Sequence, residues 1–320
     1  LHLAWQLDVQ STDYRKAFIG FVDADSGRSI YVADLVNRMS YNVYASPLRS
    51  PSDGGRSIQT NPSDVTASPF GWHDTDGVSG AEFTDTRGNN VEVQEDADAN
   101  DTGGFRPDGG AGLTFDFPVD TTQNPANYQS AAITNMFFWV NRLHDIHYQY
   151  GFTEAAGNFQ TNNYGRGGLG NDAVIADVQD GSGGGPAFVT QPDGQSPRMS
   201  MYLNSTVSPA RDAAFDNTVL IHEYGHGVSE RLTGGMGEGW SDWWSIMLTQ
   251  TENSAQNGAY PVGTWYFGQA ADGVGARRFP YSYDMTVNPL TMSDYNNSTT
   301  RSSRHKTGEI WASALWDMNW

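Results

Sequence analysis

The run Asp216-Asn-Thr-Val-Leu-Ile-His222-Glu223-Tyr-Gly-His226-Gly-Val-Ser-Glu-Arg-Leu232, followed after Thr233-Gly234-Gly235 by Met236-Gly-Glu238-Gly-Trp-Ser-Asp242, organises the reading of the whole chain. Asp216 is a residue type that caps helix N-termini, and Val219, Leu220, Tyr224 and Val228 continue an apolar pattern at helical spacing. A helix over Asp216 to Leu232 is expected. The Gly234-Gly235 pair breaks it, and a second, acidic helix is expected over roughly Gly237 to Gln250.

On such a helix His222 and His226 stand at i and i+4, about 6 Å apart along the axis, so both imidazoles can meet one cation. Glu223 lies about 100° round the helix from His222, which suits a general base beside a water better than a third ligand. Gly225 and Gly227 each cost about 1 kcal/mol in a helix interior, so another segment is expected to pass close to this face. A His-Glu-x-x-His pattern also arises by chance, with the two histidines as ordinary surface or core residues. What separates this instance is the acidic segment behind it. Glu238 can serve as the third ligand, and Asp242, one turn on, can accept the other ring proton of a ligating histidine and fix its tautomer. Glu230 competes for the third position, yet a straight helix carries it about 6 Å past His226, and a single row of ligands cannot close a tetrahedron. The chain has no cysteine, so nitrogen and oxygen must hold any metal, and one catalytic zinc ion is the expected cofactor. The sequence leaves open whether the acidic loops bind calcium.

Of the 320 residues 38% are hydrophobic, enough for two packed lobes. No apolar run approaches the ~18 residues of a membrane span, so no membrane partner is expected. With 18 basic against 37 acidic residues the formal charge is -19, which repels phosphate backbones and argues against nucleic acid as a partner. Leu1 does not open a signal segment, so the expected chain is a fragment from which such a segment has been removed.

Before the metal motif the chain changes character once. Leu3 to Val9, Ala17 to Val22 and Ser29 to Val36 read as strands of a small antiparallel meander, and Asn42 to Asp120 as irregular β structure with short strands at Asn90–Gln94 and Leu113–Phe117. From Asn127 to Tyr150 a helix is expected, with Ile133, Phe137, Val140 and His144 on one face. Asp172–Val178 and Met199–Leu203 read as further strands. The glycine-rich stretch from Gly165 to Gly185 lacks phosphate-loop spacing. A last helix is expected from Gly308 to the end, with apolar residues still wanting a partner at Trp320, so the natural chain is expected to continue. Asn100, Asn204 and Asn297 begin N-x-Ser/Thr sequons.

With these residues in place, His222 to Gly235 together with Gly237-Glu-Gly-Trp-Ser-Asp242 resembles the fungalysin family of secreted zinc metalloendopeptidases. Thr86-Arg-Gly-Asn-Asn90, His144-Asp145, Gly151 to Gln160, Gln179-Asp-Gly-Ser-Gly183, Pro192-Asp-Gly194 and Arg278-Phe-Pro-Tyr-Ser282 resemble further family blocks in the family order. The resemblance implies an α+β, thermolysin-like, two-lobed architecture. It implies a propeptide tail over residues 1–38 with a β-hairpin, a β-rich N-terminal catalytic lobe with one long helix over 39–215, and a helical zinc-binding lobe over 216–320, incomplete at its C-terminus. Ser40-Tyr-Asn-Val-Tyr44 resembles the mature start. The chain departs from the family pattern in a shorter linker between Gly235 and Met236, in Gly184-Gly-Pro186 where asparagines are usual on the substrate-pairing strand, and in the helices expected after Trp320.

What the resemblance implies for function is a secreted, extracellular endopeptidase made as a zymogen, with proteins or peptides as substrates and its own propeptide as inhibitor and chaperone. His222, His226 and Glu238 would be the zinc ligands and Glu223 the base that works on a zinc-activated water. Arg304-His305-Lys-Thr-Gly-Glu-Ile-Trp311 resembles the block whose histidine faces the metal, which makes His305 the candidate for stabilising the oxyanion. Arg278, or its neighbour Arg277, is the candidate for holding a substrate carbonyl. The competing readings are a non-catalytic zinc-binding or truncated homologue, and a metallo-aminopeptidase, for which no residue is assigned to a free amino terminus.

Overall fold

The computed structural model describes residues 3–10, 17–34, 39–232 and 236–320. The Gly234-Gly235 break and the end of the third expected strand lie outside the described residues. Three sheets make up the β structure. Strands β1 (Ala4–Gln10), β2 (Ala17–Asp23) and β3 (Ser29–Asp34) form an antiparallel meander of their own, and β4 (Ser40–Val43) joins β5 (Ser57–Thr60) and the two-residue β7 (Thr114–Phe115). The main sheet contains β6 (Val91–Glu95), β8 (Val174–Asp180), β9 (Ala187–Val189), β10 (Arg198–Asn204) and β11 (Arg211–Asp212), in the order β11-β10-β8-β6 with β9 beside β10. Its three longer strands run parallel, and β9 and β11 are antiparallel to β10.

Alternation along β6, β8 and β10 turns Val91, Val93, Val174, Ala176, Val178, Met199 and Met201 into the core. Against them lies helix α1 (Gln129–Gln149), buried on nearly every side, with Ile133, Phe137, Val140 and Leu143 fully enclosed. A helix buried on nearly every side belongs between layers, and the polar residues α1 buries, such as Asn135 and Asp145, are hydrogen-bonded there. The layer on its other side starts with helix α2 (Asn217–Leu232) and continues into α3 (Gly237–Leu248). After an irregular connection come the single turn α4 (Ser298–Arg301) and helix α5 (Arg304–Asn319). The fold is therefore α+β, with a β-rich first part and helices gathered in the last third. Among the described residues no helix is long and apolar enough to cross a membrane.

Two differences from the sequence-based expectation matter for the site. Helix α5 starts a turn before Gly308, because Ser303 caps it by accepting from the Lys306 N–H, so His305 stands in its first turn rather than in a preceding loop. The strand expected over Leu113–Phe117 pairs for two residues only, since Leu113 has φ +47° and bends the chain at its start.

Both ends of α2 are tied to the β-rich part. The Asn217 amide donates to the carbonyls of Tyr44 (2.6 Å) and Leu48 (2.7 Å), while its Oδ1 accepts from Asn135 on α1 (3.1 Å). At the other end Arg231 donates to Asp172 (3.0 Å) and to the Gly157 carbonyl (2.9 Å).

Candidate metal centre

Helix α2 presents His222 and His226 on one face, with their Nε2 atoms 3.0 Å apart. From α3, Glu238 brings Oε2 to 3.5 Å from His222 Nε2 and 3.9 Å from His226 Nε2. Ligands about 2.0–2.1 Å from a tetrahedral zinc lie roughly 3.3 Å from one another, and the three separations bracket that value. The residues fit the ion. What allows α3 to come so near is Gly225, where a Cβ would stand 2.9 Å from the Ser241 Cα, closer than any side chain tolerates. The expectation that something passes close to this glycine is met by backbone. At Gly227 the neighbour is instead the ring of Phe188 on β9.

Asp242, fully buried one turn beyond Glu238, ties the site together. Its Oδ1 lies 2.7 Å from His222 Nδ1, which leaves Nε2 facing the space between the ligands. The same carboxylate accepts from Arg277 Nε (2.6 Å) and Nη2 (2.8 Å) and from the Tyr281 hydroxyl. Arg277 also reaches Glu238 Oε2 at 3.2 Å, so one buried cation lies between two buried carboxylates.

Burial opposes the charged form of Asp242 and Glu238, but it is outweighed. Arg277 and then His222 hold Asp242 well below the usual carboxylate range, and His222, His226 and Arg277 bring Glu238 to about 2. His222 also resists charge through burial, yet the hydrogen bond and charge of Asp242, with Glu238 behind it, raise it to about 9. His226, largely but not fully enclosed and beside that charge, falls to about 4. A field that keeps a proton on His222 is a field that favours a dication in the same place. Glu223 is raised to about 7 by burial first, with His222 opposing and Glu238 reinforcing the shift. A carboxyl poised near neutrality is suited to taking and returning a proton.

The remaining candidates divide. His305 is half exposed on α5 with its Nε2 3.1 Å from Glu238 Oε1, and Arg304 places its Nε 3.2 Å from the same oxygen. Arg278 faces away, paired with Glu309, and it is Arg277 that reaches the centre. Glu230 is exposed. In the sequence Tyr281 stands in the Arg278-Phe-Pro-Tyr-Ser282 block with no role assigned to it, and Arg277 only as an alternative to Arg278. Both lie on an irregular segment far along the chain from the motif they support, where no periodicity marks them.

The model of the fungalysin metallopeptidase family (M36) matches residues 40–320. This chain belongs to the fungalysin family. Among its relatives are "Extracellular metalloproteinase MEP" of Pyricularia oryzae, 39% identical over 345 residues, and "Extracellular metalloproteinase 5" of Arthroderma otae, 38% identical over 339 residues. Another "Extracellular metalloproteinase MEP", from Fusarium vanettenii, is 38% identical over 347 residues. Each alignment covers 100% of the fungalysin chain and 52% of the relative, so the chain spans about half the length of the curated relatives it matches.

Proposed function

We propose that this chain carries the catalytic centre of a secreted, zinc-dependent endopeptidase that hydrolyses internal peptide bonds of proteins. The observation that carries the reading is the convergence of His222, His226 and Glu238 from two helices on one point, with the buried Glu223 next along α2 held near neutrality. His222, His226 and Glu238 would hold the zinc, which supplies Lewis acidity to the scissile carbonyl and acidity to water when bound. Glu223 accepts a proton from the attacking water and returns it to the leaving amine. Asp242 keeps His222 in the tautomer that points Nε2 at the ion, and Arg277 holds Asp242 and Glu238 in register. His305 donates to the oxyanion, and Arg278, whose Nε pairs with Glu309, reaches a substrate carbonyl once that pairing is exchanged. An extended substrate pairs with β9, which lies against the metal helix through Phe188; the stretch Gly184-Gly-Pro186 before it offers one donor fewer because proline has no N–H.

Residues 1–38 are proposed as the tail of a propeptide that inhibits and chaperones the enzyme, 39–215 as the β-rich lobe and 216–320 as the metal lobe. The family match beginning at residue 40 and the separate sheet formed by β1, β2 and β3 support the first boundary. The names of the relatives support export from the cell.

The test is casein hydrolysis by the full-length, processed protein, by its Glu223→Gln variant and by chelator-treated enzyme before and after zinc return. Loss of about 10²–10⁴-fold is expected for Glu223→Gln, and restoration by zinc for the stripped enzyme. Undiminished cleavage by Glu223→Gln would overturn the mechanism. A zinc-loaded protein that cleaves nothing would favour the non-catalytic reading.

A further inference from the structure

Between β5 and β6 the chain runs through an irregular segment anchored by Trp72 and His73, both fully buried. The next residue, Asp74, is also fully buried, and this is unusual company for a carboxylate. Its Oδ1 accepts the Gly77 N–H at 2.9 Å, but its Oδ2, equally enclosed, has no partner. Burial pushes Asp74 up to about 7, against the Gly77 N–H, and the charges of Glu82 and Asp76 push in the same direction as burial. An enclosed carboxylate oxygen with nothing to bond is costly, on the order of 1–3 kcal/mol, and calls for a positive partner.

Among the described residues no side chain supplies one. Among the described residues Asp74, Asp76 and Glu82 form no ion pair, whereas one carboxylate oxygen from each lies within 4.8 Å of the other two. Backbone and hydroxyl donors from the segment occupy one oxygen of each outer acid: Val78 N–H donates to Asp76 Oδ1, and Thr75 donates to Glu82 Oε2. Among the described residues, the second oxygens of Asp76 and Glu82 take no protein donor. The hydroxyl of Tyr164, whose ring packs beside Gly77, is likewise buried and unpartnered, and it feels the charges of both Asp74 and Glu82. The acidic group of Asp96, Asp101 and Asp177 makes a useful contrast. There Asp177 and Asp101 face the guanidinium of Arg198, which already provides the positive charge.

We propose that Asp74, Asp76 and Glu82 form a calcium site separate from the metal centre on α2. The donor set contains oxygen alone, which disfavours zinc; the nearest imidazole, His73, is committed to the Tyr41 hydroxyl and the Arg87 carbonyl. Oxygens on opposite sides of calcium are about 4.6–5.2 Å apart at its usual bond lengths, so the spread of these donors is within its reach. Magnesium holds shorter bonds and takes one or two carboxylates with several waters, so a set of three favours calcium. The ion would close the segment on itself, joining Asp74 and Asp76 to Glu82 and adding to the Thr75 bonds to Glu82, the Glu82 N–H to His73 carbonyl bond and the Asn162 bond to the Thr75 carbonyl. Its role is to hold this surface segment against opening, and the inference does not depend on the protein being a peptidase.

The experiment is calcium titration of the zinc-loaded full-length protein by calorimetry, with thermal unfolding in calcium and in a calcium-selective chelator. The exposed pair is replaced together, Asp76→Asn with Glu82→Gln, because Asp74→Asn alters a buried group and can affect folding by itself. Expected is a single calcium per chain whose affinity falls at least about tenfold in the double variant, with a calcium-dependent rise in Tm for the parent and none for the variant. Equal affinity and an equal Tm rise in the double variant would overturn the proposal. So would loss of calcium binding in Asp101→Asn, which would move the ion to the group near Arg198, or an equal response to magnesium, which would remove the calcium assignment.

Discussion

Asp242 receives an imidazole, a guanidinium and a phenol, and each donor limits where the others can go. Replacing it by Asn exchanges one acceptor oxygen for a donor, so either His222 or Arg277 loses its partner. Asp242→Asn is expected to weaken zinc binding about 10–100-fold, read by competition with a chromogenic chelator, with helical circular dichroism unchanged. A second residue-scale prediction concerns His73, far from that centre. With Nδ1 facing the Arg87 carbonyl (3.1 Å) and Nε2 facing the Tyr41 hydroxyl (2.8 Å), the neutral ring satisfies both, donating from Nδ1 and accepting at Nε2. Burial lowers its pKa from 6.5 to about 4. The unfolded chain therefore binds one proton more than the folded one between those values, and stability contributed by the neutral ring is lost as pH falls through that window. Urea unfolding midpoints at pH 7 and pH 5 should differ more for the parent than for His73→Gln, which has no proton to take up. An equal pH difference in the two proteins would remove His73 from the account.

At the level of elements, the decisive contact is the crossing of α3 and α5. A Cβ at Gly308 would stand 2.5 Å from the Glu238 Cβ and 2.9 Å from the Gly239 N, so the helices meet backbone to backbone beside the proposed third ligand. Gly308→Ala must push α3 and α5 apart; a loss of about 1–3 kcal/mol in unfolding free energy is expected, together with weaker zinc binding. The turn before α3 offers the opposite sign. Met236 is half exposed yet holds φ +60°, a left-handed conformation that costs a side-chain-bearing residue roughly 1–2 kcal/mol. Met236→Gly relieves that cost at some entropic expense and should raise the unfolding free energy by up to about 1 kcal/mol in chemical denaturation. These two glycine questions also mark what the sequence could reveal about elements. Helices α1, α2 and α3 were legible because their apolar residues recur at helical spacing over several turns. Gly308 was misread as the start of the last helix, since the polar Arg304-His305-Lys-Thr run carries no period and a glycine inside a helix makes sense only once the crossing partner is known. The two-residue β7 had the composition of a longer strand, but the left-handed Leu113 bends the chain at its start and pairing with β4 stops at Phe115, although β4 itself runs on to Val43.

Across the whole molecule the formal charge of -19 is a self-repulsion that every packed element must overcome. Raising ionic strength from about 10 mM to 150 mM shortens the screening length from roughly 30 Å to 8 Å, so thermal stability in a monovalent salt without divalent ions should increase over that range. A flat or falling Tm would show that local ion pairs such as Arg231 with Asp172 outweigh the net charge. Composition made this term visible, and the His222-Glu-x-x-His226 run with Glu238 and Asp242 made most of the centre visible as well. Arg277 and Tyr281 were hidden because their relation to Asp242 exists only in three dimensions, across an irregular connection. The anchoring of α2 adds a mechanical point. Asn217 ties its beginning to Tyr44 and Leu48, and Arg231 ties its end to Asp172 and Gly157, whereas Glu238 belongs to a helix that is locked onto α5. Two histidines thus ride on a helix anchored in the β-rich part, and the carboxylate on a helix packed between it and α5. A shift of α3 against α2 would carry the proposed third ligand away while the proposed pair on α2 stays in place, so the setting of one helix on the other governs how many side chains can hold the ion.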